Sequence, residues 1–113
     1  MEVTKKTRSL VLTLAHAIQK RNPTMSFSDV QRQGWKVLRK VDLMKKGVTK
    51  FSFRKVNGEL RQAVGKMDYS LDTLIFNGKD DKPLANIRYF DLTKDSDGNV
   101  KGWRSFRAEL MLN

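Results

Sequence analysis

The loop sequence DSDGN has oxygen-bearing side chains at the spacing of a calcium-binding loop. Asp95, Asp97 and Asn99 would supply the first, third and fifth ligands of such a loop. The loop also needs a glycine at its sixth position and a bidentate glutamate at its twelfth, where this chain has Val100 and Phe106. The pattern is therefore better explained as a hairpin turn, and no metal site is predicted.

Basic side chains form a second candidate site, on one face of a predicted helix. The members of this set are Arg32, Lys36, Arg39, Lys40 and Lys46. Such residues can contact the phosphates of a nucleic acid, but a run of charge is also the ordinary solvated side of a helix. Trp35 lies beside them and has two interpretations, a stacking or wedge contact with bases or a cover over the edge of the core. Both alternatives stay open from the sequence.

The sequence KGWRSFR combines aromatic and basic residues, which single-strand binding proteins use to stack on bases and to pair with phosphates. It begins like an RNA-recognition motif, but the residues after Trp103 depart from that motif. Successive residues of a strand face opposite ways, so Trp103 and Phe106 lie on different faces, as do Tyr89 and Phe90. This division favours core packing, and base stacking by Trp103 or Tyr89 is the less favoured alternative.

The composition argues against most enzymes. The 113 residues include no cysteine and a single histidine, His16. Disulfides, thiolate zinc sites and cysteine nucleophiles are therefore excluded, and a histidine metal cluster has too few members. We expect a protein without catalytic residues and without a cofactor.

The charge of the chain is strongly basic and unevenly distributed. There are 23 Lys and Arg residues against 12 Asp and Glu residues, which gives a formal net charge of +11. Residues 1–66 hold 16 of the basic and 4 of the acidic side chains, and the rest of the chain is close to neutral. This uneven charge gives a directional electrostatic field that favours binding of a polyanion. Nucleic acid, DNA or RNA, is the expected partner.

Two amphipathic helices are predicted in the first part of the chain. Apolar residues at helical spacing indicate a first helix over about residues 7–21, which ends before Pro23. The second begins after Ser26 as its N-cap, continues to about Lys46 and ends at Gly47. Its apolar seam consists of Phe27, Val30, Gly34, Val37, Val41 and Met44. The glycine in this seam weakens the helix, so we expect it to admit another backbone at close range.

Alternating residues predict strands after the second helix. A hairpin pairs residues 48–56 with residues 59–66 through Asn57-Gly58. Further strands are predicted at Thr73–Phe76, Ile87–Lys94 and residues 100–112, with a loop at residues 77–83. The predicted buried cluster contains Phe51 or Phe53, Leu60, Ile87 and Phe106.

These elements predict an α+β fold, an N-terminal helical hairpin followed by a small antiparallel β-barrel. Residues 1–47 form the basic helical segment and residues 48–113 the barrel, packed as one compact unit. The N-terminal sequence has some likeness to a secretory signal, but its apolar run is short and continues as an amphipathic helix. No run approaches the ~20 apolar residues of a membrane span, so a cytoplasmic protein that does not bind membranes is expected.

Several stretches resemble the small SH3-β-barrel, Sm-like family related to the WYL domains. They are FRKVNGELRQAVG (residues 53–65), IRYFDL (87–92), WRSFR (103–107) and, for the helical segment before the barrel, MSFSDVQRQGWKV (25–37). The resemblance implies an SH3-like barrel, an origin in phages or mobile elements of gut anaerobes, association with nucleic acid, and no catalytic residues. The W-Y-L tripeptide itself is absent, so the ligand sensing of WYL domains is not carried over.

The leading hypothesis is a nucleic-acid-binding accessory protein of a phage or mobile element, with little sequence preference. The candidate contact residues are Arg32, Trp35, Lys36, Arg39 and Lys40 from the second helix and Lys50, Arg54 and Lys55 from the first hairpin, and Arg61 could join either group. The alternative is a protein-interaction or oligomerisation module, for example of a virion, that uses the apolar seam of the second helix and binds no nucleic acid.

Overall fold

A computed structural model of the chain describes residues 2–67 and 85–113. In chain order its elements are α1 (Lys5–Arg21), α2 (Phe27–Lys46), β1 (Thr49–Arg54), β2 (Leu60–Lys66), β3 (Asn86–Lys94), β4 (Val100–Arg107) and a short 3-10 helix (Ala108–Leu110). The strand predicted at Thr73–Phe76 and the loop predicted at residues 77–83 lie outside the described residues. The α+β class is confirmed.

Local capping sets the bounds of both helices. The hydroxyl of Thr4 accepts the amide of Thr7 at 3.2 Å, so α1 begins two residues before the predicted start. The hydroxyl of Ser26 accepts the amide of Asp29 at 3.1 Å, and α2 ends at Gly47 as predicted. Such caps satisfy amides that have no partner within the helix. Neither helix is long and apolar enough to span a membrane, among the residues that the structure describes.

Gly34 lies where the two helices come closest. A Cβ atom built on Gly34 would lie 3.3 Å from the carbonyl oxygen of Val11 and 3.5 Å from its Cγ1 atom. The side chain of alanine would therefore push α1 outward by a few tenths of an ångström. The close backbone approach predicted for this glycine is confirmed, and the approaching backbone is that of α1.

The strands form an antiparallel sheet in the order β1-β2-β3-β4. After the 3-10 helix the chain returns to the free edge of β1, where Met111 bridges to Phe53. The amide of Leu112 donates to the carbonyl of Ser52 at 2.9 Å, and the amide of Ser52 donates to the carbonyl of Asn113 at 3.1 Å. This return closes the sheet into a small barrel and covers an edge that would otherwise be open.

The β1–β2 hairpin turns through a longer loop than the Asn57-Gly58 pair alone. The amide of Lys55 donates to the carbonyl of Glu59 at 2.8 Å, and β1 already ends at Arg54. Gly58 has φ 91°, a left-handed conformation in which glycine is preferred. This geometry is typical of a three-residue hairpin loop with a glycine bulge.

The DSDGN sequence forms the same kind of loop between β3 and β4. The amide of Asp95 donates to the carbonyl of Asn99 at 2.8 Å, and Gly98 has φ 82°. One carboxylate oxygen of Asp95 accepts the amides of Asp97 and Asn99 at 2.9 and 3.1 Å. The turn interpretation is confirmed, and the side chain of Asp95 serves the backbone of its own turn.

One buried cluster joins the helices to the barrel. Its helical members are Leu10, Val11, Leu14, Ala15, Ile18, Val30, Val37, Leu38, Val41 and Met44, and its barrel members include Phe51, Phe53, Ile87, Tyr89 and Phe106. Among the predicted core residues, the prediction for Leu60 is wrong, since its side chain is 53% exposed. In β2 the inward positions are those of Ala63 and Gly65, so strand alternation turns Leu60 outward.

Polar contacts also join the helical hairpin to the barrel. The guanidinium of Arg21 pairs with Glu109 at 2.8 Å and donates to the carbonyl of Ala85 at 3.2 Å. The side-chain amide of Gln33 donates to the carbonyls of Ala108 and Met111 at 2.7 and 2.9 Å. The helices are thereby tied to the open end of the β3–β4 hairpin, where Ala85 precedes β3 and the 3-10 helix follows β4.

Candidate functional site

Four cations of α2 lie on its solvent side, and we call Arg32, Lys36, Arg39 and Lys40 the helix set. The side chain of Arg32 is 78% exposed and lies 3.5 Å from the carboxylate of Asp29. Neither Lys36 nor Lys40 forms an ion pair with any carboxylate of the described residues. The helix set therefore presents positive charge to solvent with little internal neutralisation.

Trp35 lies beside the helix set and is half-buried against the core. The guanidinium carbon of Arg39 lies 5.6 Å from the centroid of its ring, at the distance of a cation–π contact. The interpretation of Trp35 as a cover over the core edge is confirmed. Its contact with bases stays a prediction.

The first hairpin contributes a second group of cations, Lys50, Arg54 and Lys55, which we call the strand set. Lys50 and Arg54 lie on the outer face of β1, because the alternate residues Phe51 and Phe53 are buried. Arg54 donates to the carbonyl of Gly58 at 3.0 Å. The helix set is on the solvent side of α2, so the two sets are carried by different elements.

Lys55 of the strand set forms an ion pair with Glu59 at 3.4 Å, as Arg32 of the helix set does with Asp29. The side chains of Lys55 and Glu59 are well exposed, at 49% and 65%. Ion pairs of this kind contribute about 0–1 kcal/mol, so Lys55 can exchange Glu59 for a phosphate at small cost.

Arg61 does not belong with the candidate contact residues. Its guanidinium lies 2.7 Å from the carboxylate of Asp91, whose side chain is fully buried. Alternate residues of β2 face the interior of the barrel, and Arg61 lies on the same inner face as the buried Ala63. The sequence-based assignment of Arg61 to a phosphate is corrected accordingly, since its charge balances an internal acid.

Asp91 is the centre of a buried polar network. Its carboxylate accepts the guanidinium of Arg61, the hydroxyl of Tyr89 at 3.0 Å and the amide of Thr93 at 2.8 Å. Burial alone acts to raise the pKa of Asp91, but the hydrogen bonds from Thr93, Arg61 and Tyr89 outweigh it and hold the pKa below its usual range. Burial, followed by the charge of Asp91, raises the pKa of Tyr89 above its ordinary value.

The outer face of the sheet holds a row of aromatic and basic side chains, Lys66, Phe90, Trp103 and Arg88, which we call the outer row. The register pairs Lys66 with Phe90 and Phe90 with Trp103. The rings of Phe90 and Trp103 meet edge to face with centroids 5.5 Å apart. The ammonium of Lys66 lies 5.9 Å from the Phe90 centroid, and the guanidinium of Arg88 lies 5.0 Å from that of Trp103.

Sequence reasoning placed these aromatics on the correct faces but missed the row. Tyr89 is buried, which excludes it as a stacking residue, whereas Trp103 is 42% exposed. The division of aromatics within each strand argued against a platform, yet across the strands Phe90 and Trp103 stand side by side. The missing information was the β3–β4 register, which contains an irregularity between Asp91 and Lys94.

A groove lies near the end of the sheet where β4 leaves it. It has a volume of about 390 Å³ and three cations in its lining, Arg54, Lys55 and Arg107. Phe53 and Phe106 contribute apolar surface. The groove therefore joins part of the strand set to a basic residue of β4.

Two helices packed on a small antiparallel barrel thus carry basic residues on several elements, and the described residues contain no group of three or more His, Cys, Asp or Glu side chains that could hold a metal ion. The sequence matches the family model described as WYL_2, Sm-like SH3 beta-barrel fold, over residues 37–112. This is more than half of the chain, and the protein belongs to that family. Comparison with curated proteins and with solved structures gave no match.

The family match begins inside α2. Residues 25–37, which resemble the helical segment that precedes such barrels, therefore lie almost entirely before the matched range. Within the matched range are the strand set, the outer row, and Arg39 and Lys40 of the helix set. The family assignment thus covers the barrel and the second half of α2.

Proposed function

We propose that the protein is a non-enzymatic nucleic-acid-binding protein that contacts phosphates through the helix set. The observation that carries this proposal is the arrangement of Lys36, Arg39 and Lys40. They lie next to one another on the solvent side of α2, and none of them forms an ion pair with a described carboxylate. An ordinary solvated helix face more often mixes charges of both signs.

Binding of this kind is electrostatic. The helix α2 contains six Lys or Arg residues and two Asp residues, and the whole chain has a formal net charge of +11. Phosphate contacts position a protein on nucleic acid but do not read its bases. We therefore expect little sequence preference and a strong dependence on salt.

The wider setting of the proposal comes from the resemblance to the SH3-like barrel family. It is that of an accessory protein of a phage or mobile element, which acts in the cytoplasm where its nucleic acid is present. The strand set supplies further phosphate contacts on a second surface.

The test is a fluorescence-anisotropy titration of labelled mixed-sequence oligonucleotides at several salt concentrations. Four phosphate contacts give a slope of log K against log salt of about −3.6 on duplex DNA and about −2.8 on single strands. In the double variant Lys36→Glu, Lys40→Glu, two contacts are lost, so the duplex slope should flatten by about 1.8. Affinity should fall for every sequence alike.

The matched control is Lys5→Glu, Lys20→Glu, which makes the same change of charge at two exposed positions of α1. It should reduce affinity much less, while both double variants should keep their stability within about 0.5 kcal/mol per exposed residue. Equal losses in the two variants would mean that net charge, and not the helix set, determines binding. Absence of wild-type binding at low salt to DNA and to RNA would refute the proposal.

The alternative proposal is a protein-interaction or oligomerisation module that uses the seam of α2. Within the chain, Val30, Gly34, Val37, Val41 and Met44 of this seam are already buried, and Phe27 at its start is 42% exposed. A partner would therefore have to contact the Phe27 end of the seam. Light scattering that shows a dimer, together with no binding to oligonucleotides, would favour this module.

A further inference from the structure

We propose, on the basis of the function proposed above, that the outer row is a base-stacking site. An unpaired base stacks on Trp103, and the protein therefore binds single-stranded nucleic acid more tightly than duplex. The inference rests on the juxtaposition of an exposed indole, a second aromatic ring and two cations on one face of the sheet.

The exposure of Trp103 is the first argument. The residue is 42% exposed although Phe90 and Arg88 both lie against it. A tryptophan that served only the core would be covered, as Tyr89 and Phe106 are on the inner face of the same strands. The register and the edge-to-face contact with Phe90 hold the indole in one place, so little side-chain freedom is lost when a base stacks on it.

The cations of the outer row are the second argument. Arg88 lies 5.0 Å from the Trp103 ring centroid and Lys66 lies 5.9 Å from that of Phe90. A base brought to the indole therefore arrives with its phosphates near two positive charges. An apolar peptide would gain nothing from these charges, whereas a polyanion with aromatic bases matches both properties of the row.

The position of Arg107 along β4, relative to Trp103, is the third argument. Trp103 and Arg107 are on the same face of β4, four residues apart, which is a distance of about 13 Å in an extended strand. Arg107 lines the groove that also contains Arg54 and Lys55. A strand of two or three nucleotides thus fits between the stacked base and these cations, with its backbone along β4.

The outer row discriminates against duplexes because paired bases are already stacked on their neighbours. The helix set binds phosphates of either form, but only an unpaired base can present a ring face to Trp103. Base–aromatic stacking of this kind is tolerant of sequence. The site therefore adds a preference for strand state without adding a preference for sequence.

The test compares binding of a labelled oligothymidine of about 15 nucleotides with binding of a duplex of the same length. Trp103→Ala should weaken binding to oligothymidine by about 5- to 150-fold, the range found when a stacking aromatic is removed. Duplex binding should change by less than about 2-fold. Trp103→Phe keeps an aromatic ring and should restore most of the affinity for oligothymidine. Leu12→Ala, at a residue 41% exposed on α1, is the control of matched exposure.

A spectroscopic measurement makes the test independent of the stability of the alanine variant. Oligothymidine should quench part of the wild-type indole emission, and this part should be lost in Trp103→Phe while binding persists. Equal affinity for both probes, together with no effect of Trp103→Ala, would overturn the stacking site and leave the phosphate contacts of the helix set standing. No wild-type binding to either probe would instead refute the proposed function, and the stacking site with it.

Discussion

The inner and outer faces of the β3–β4 hairpin each hold one aromatic ring from each strand. On the inner face, the centroids of Tyr89 and Phe106 are 5.8 Å apart, and both rings contact Phe51. On the outer face, those of Phe90 and Trp103 are 5.5 Å apart. The two pairs have nearly the same separation, but the inner rings are buried and Trp103 is 42% exposed.

The difference between the pairs lies in their neighbours. The inner rings are surrounded by other aromatic and aliphatic side chains and by the Asp91 network. The outer rings lie beneath Lys66 and Arg88. Aromatic residues in a strand therefore do not by themselves mark a binding surface or a core. The cations around them and their exposure decide which of the two roles the geometry supports.

The largest expected effect is that of removing an inner ring. Phe106→Ala should lower the free energy of unfolding by about 3–5 kcal/mol, because it removes a buried aromatic and leaves a cavity. Trp103→Ala, the same kind of truncation on the outer face, should cost only about 1 kcal/mol, since it removes an exposed ring and its surface contacts. Urea unfolding of the two variants measures the contrast. Similar losses would show that the outer row is as much part of the core as the inner cluster.

Removing the charge of Asp91, the polar centre of the inner face, should have a smaller effect on the free energy of unfolding, and this effect should depend on pH. Asp91→Asn removes the charge that pairs with Arg61 and should cost about 1.5–3 kcal/mol at neutral pH. Since the pKa of Asp91 is lower in the folded protein than in the unfolded chain, the unfolded state binds more protons at acid pH, and the wild type loses this stability as the pH falls.

The difference in the free energy of unfolding between the wild type and Asp91→Asn should therefore become smaller below about pH 4, where the carboxylate of the unfolded chain becomes protonated. Urea unfolding at neutral pH and at acid pH measures this narrowing. The control is Asp97→Asn, at an exposed turn residue, which should cost little at either pH. A difference that stays constant down to acid pH would show that Asp91 contributes by its shape and not by its charge.

Local physics explains what could be predicted from the sequence. The helices follow from periodicity and from caps such as Ser26 and Gly47, and the hairpin positions follow from Gly58 and Gly98, because each of these signals acts within a few residues. Strand alternation also gave the correct faces for Trp103 and Phe106. It failed at Leu60, where the phase of β2 depended on partners elsewhere in the sheet.

Long-range pairing explains what could not be predicted. The partner of Arg61 is Asp91, 30 residues along the chain, and no spacing rule joins them. The outer row requires the register of β3 with β4. That register changes at one point, where two residues of β3, Leu92 and Thr93, lie opposite a single residue of β4, Lys101. Such an irregularity shifts all later pairs by one residue, so its position cannot be read from alternation.

The irregularity determines which face Trp103 occupies. Lys94 pairs with Val100, and the same register continued would place Trp103 opposite Asp91, whose side chain is buried. The shift instead places Gly102 opposite Asp91 and Trp103 opposite Phe90. A slip of one residue moves side chains to the other face of a sheet. The outer row therefore exists because of this shift, which the amide of Thr93 supports by donating to the carboxylate of Asp91.

A substitution at Gly102 tests this register directly. Gly102 has φ 76°, and a Cβ atom there would meet nothing within 4 Å, so Gly102→Ala introduces backbone strain without a clash. Gly98→Ala is the matched control, with φ 82° and equally open space, but in the turn instead of the shift. Each variant should lower the free energy of unfolding by about 1–2 kcal/mol, the difference between alanine and glycine in a left-handed conformation.

Only Gly102→Ala should also alter the emission of Trp103 and weaken binding to oligothymidine, because the strain lies next to the residue that the shift turns outward. Loss of oligothymidine binding in both variants would show that general destabilisation, and not the register at Gly102, controls the outer row.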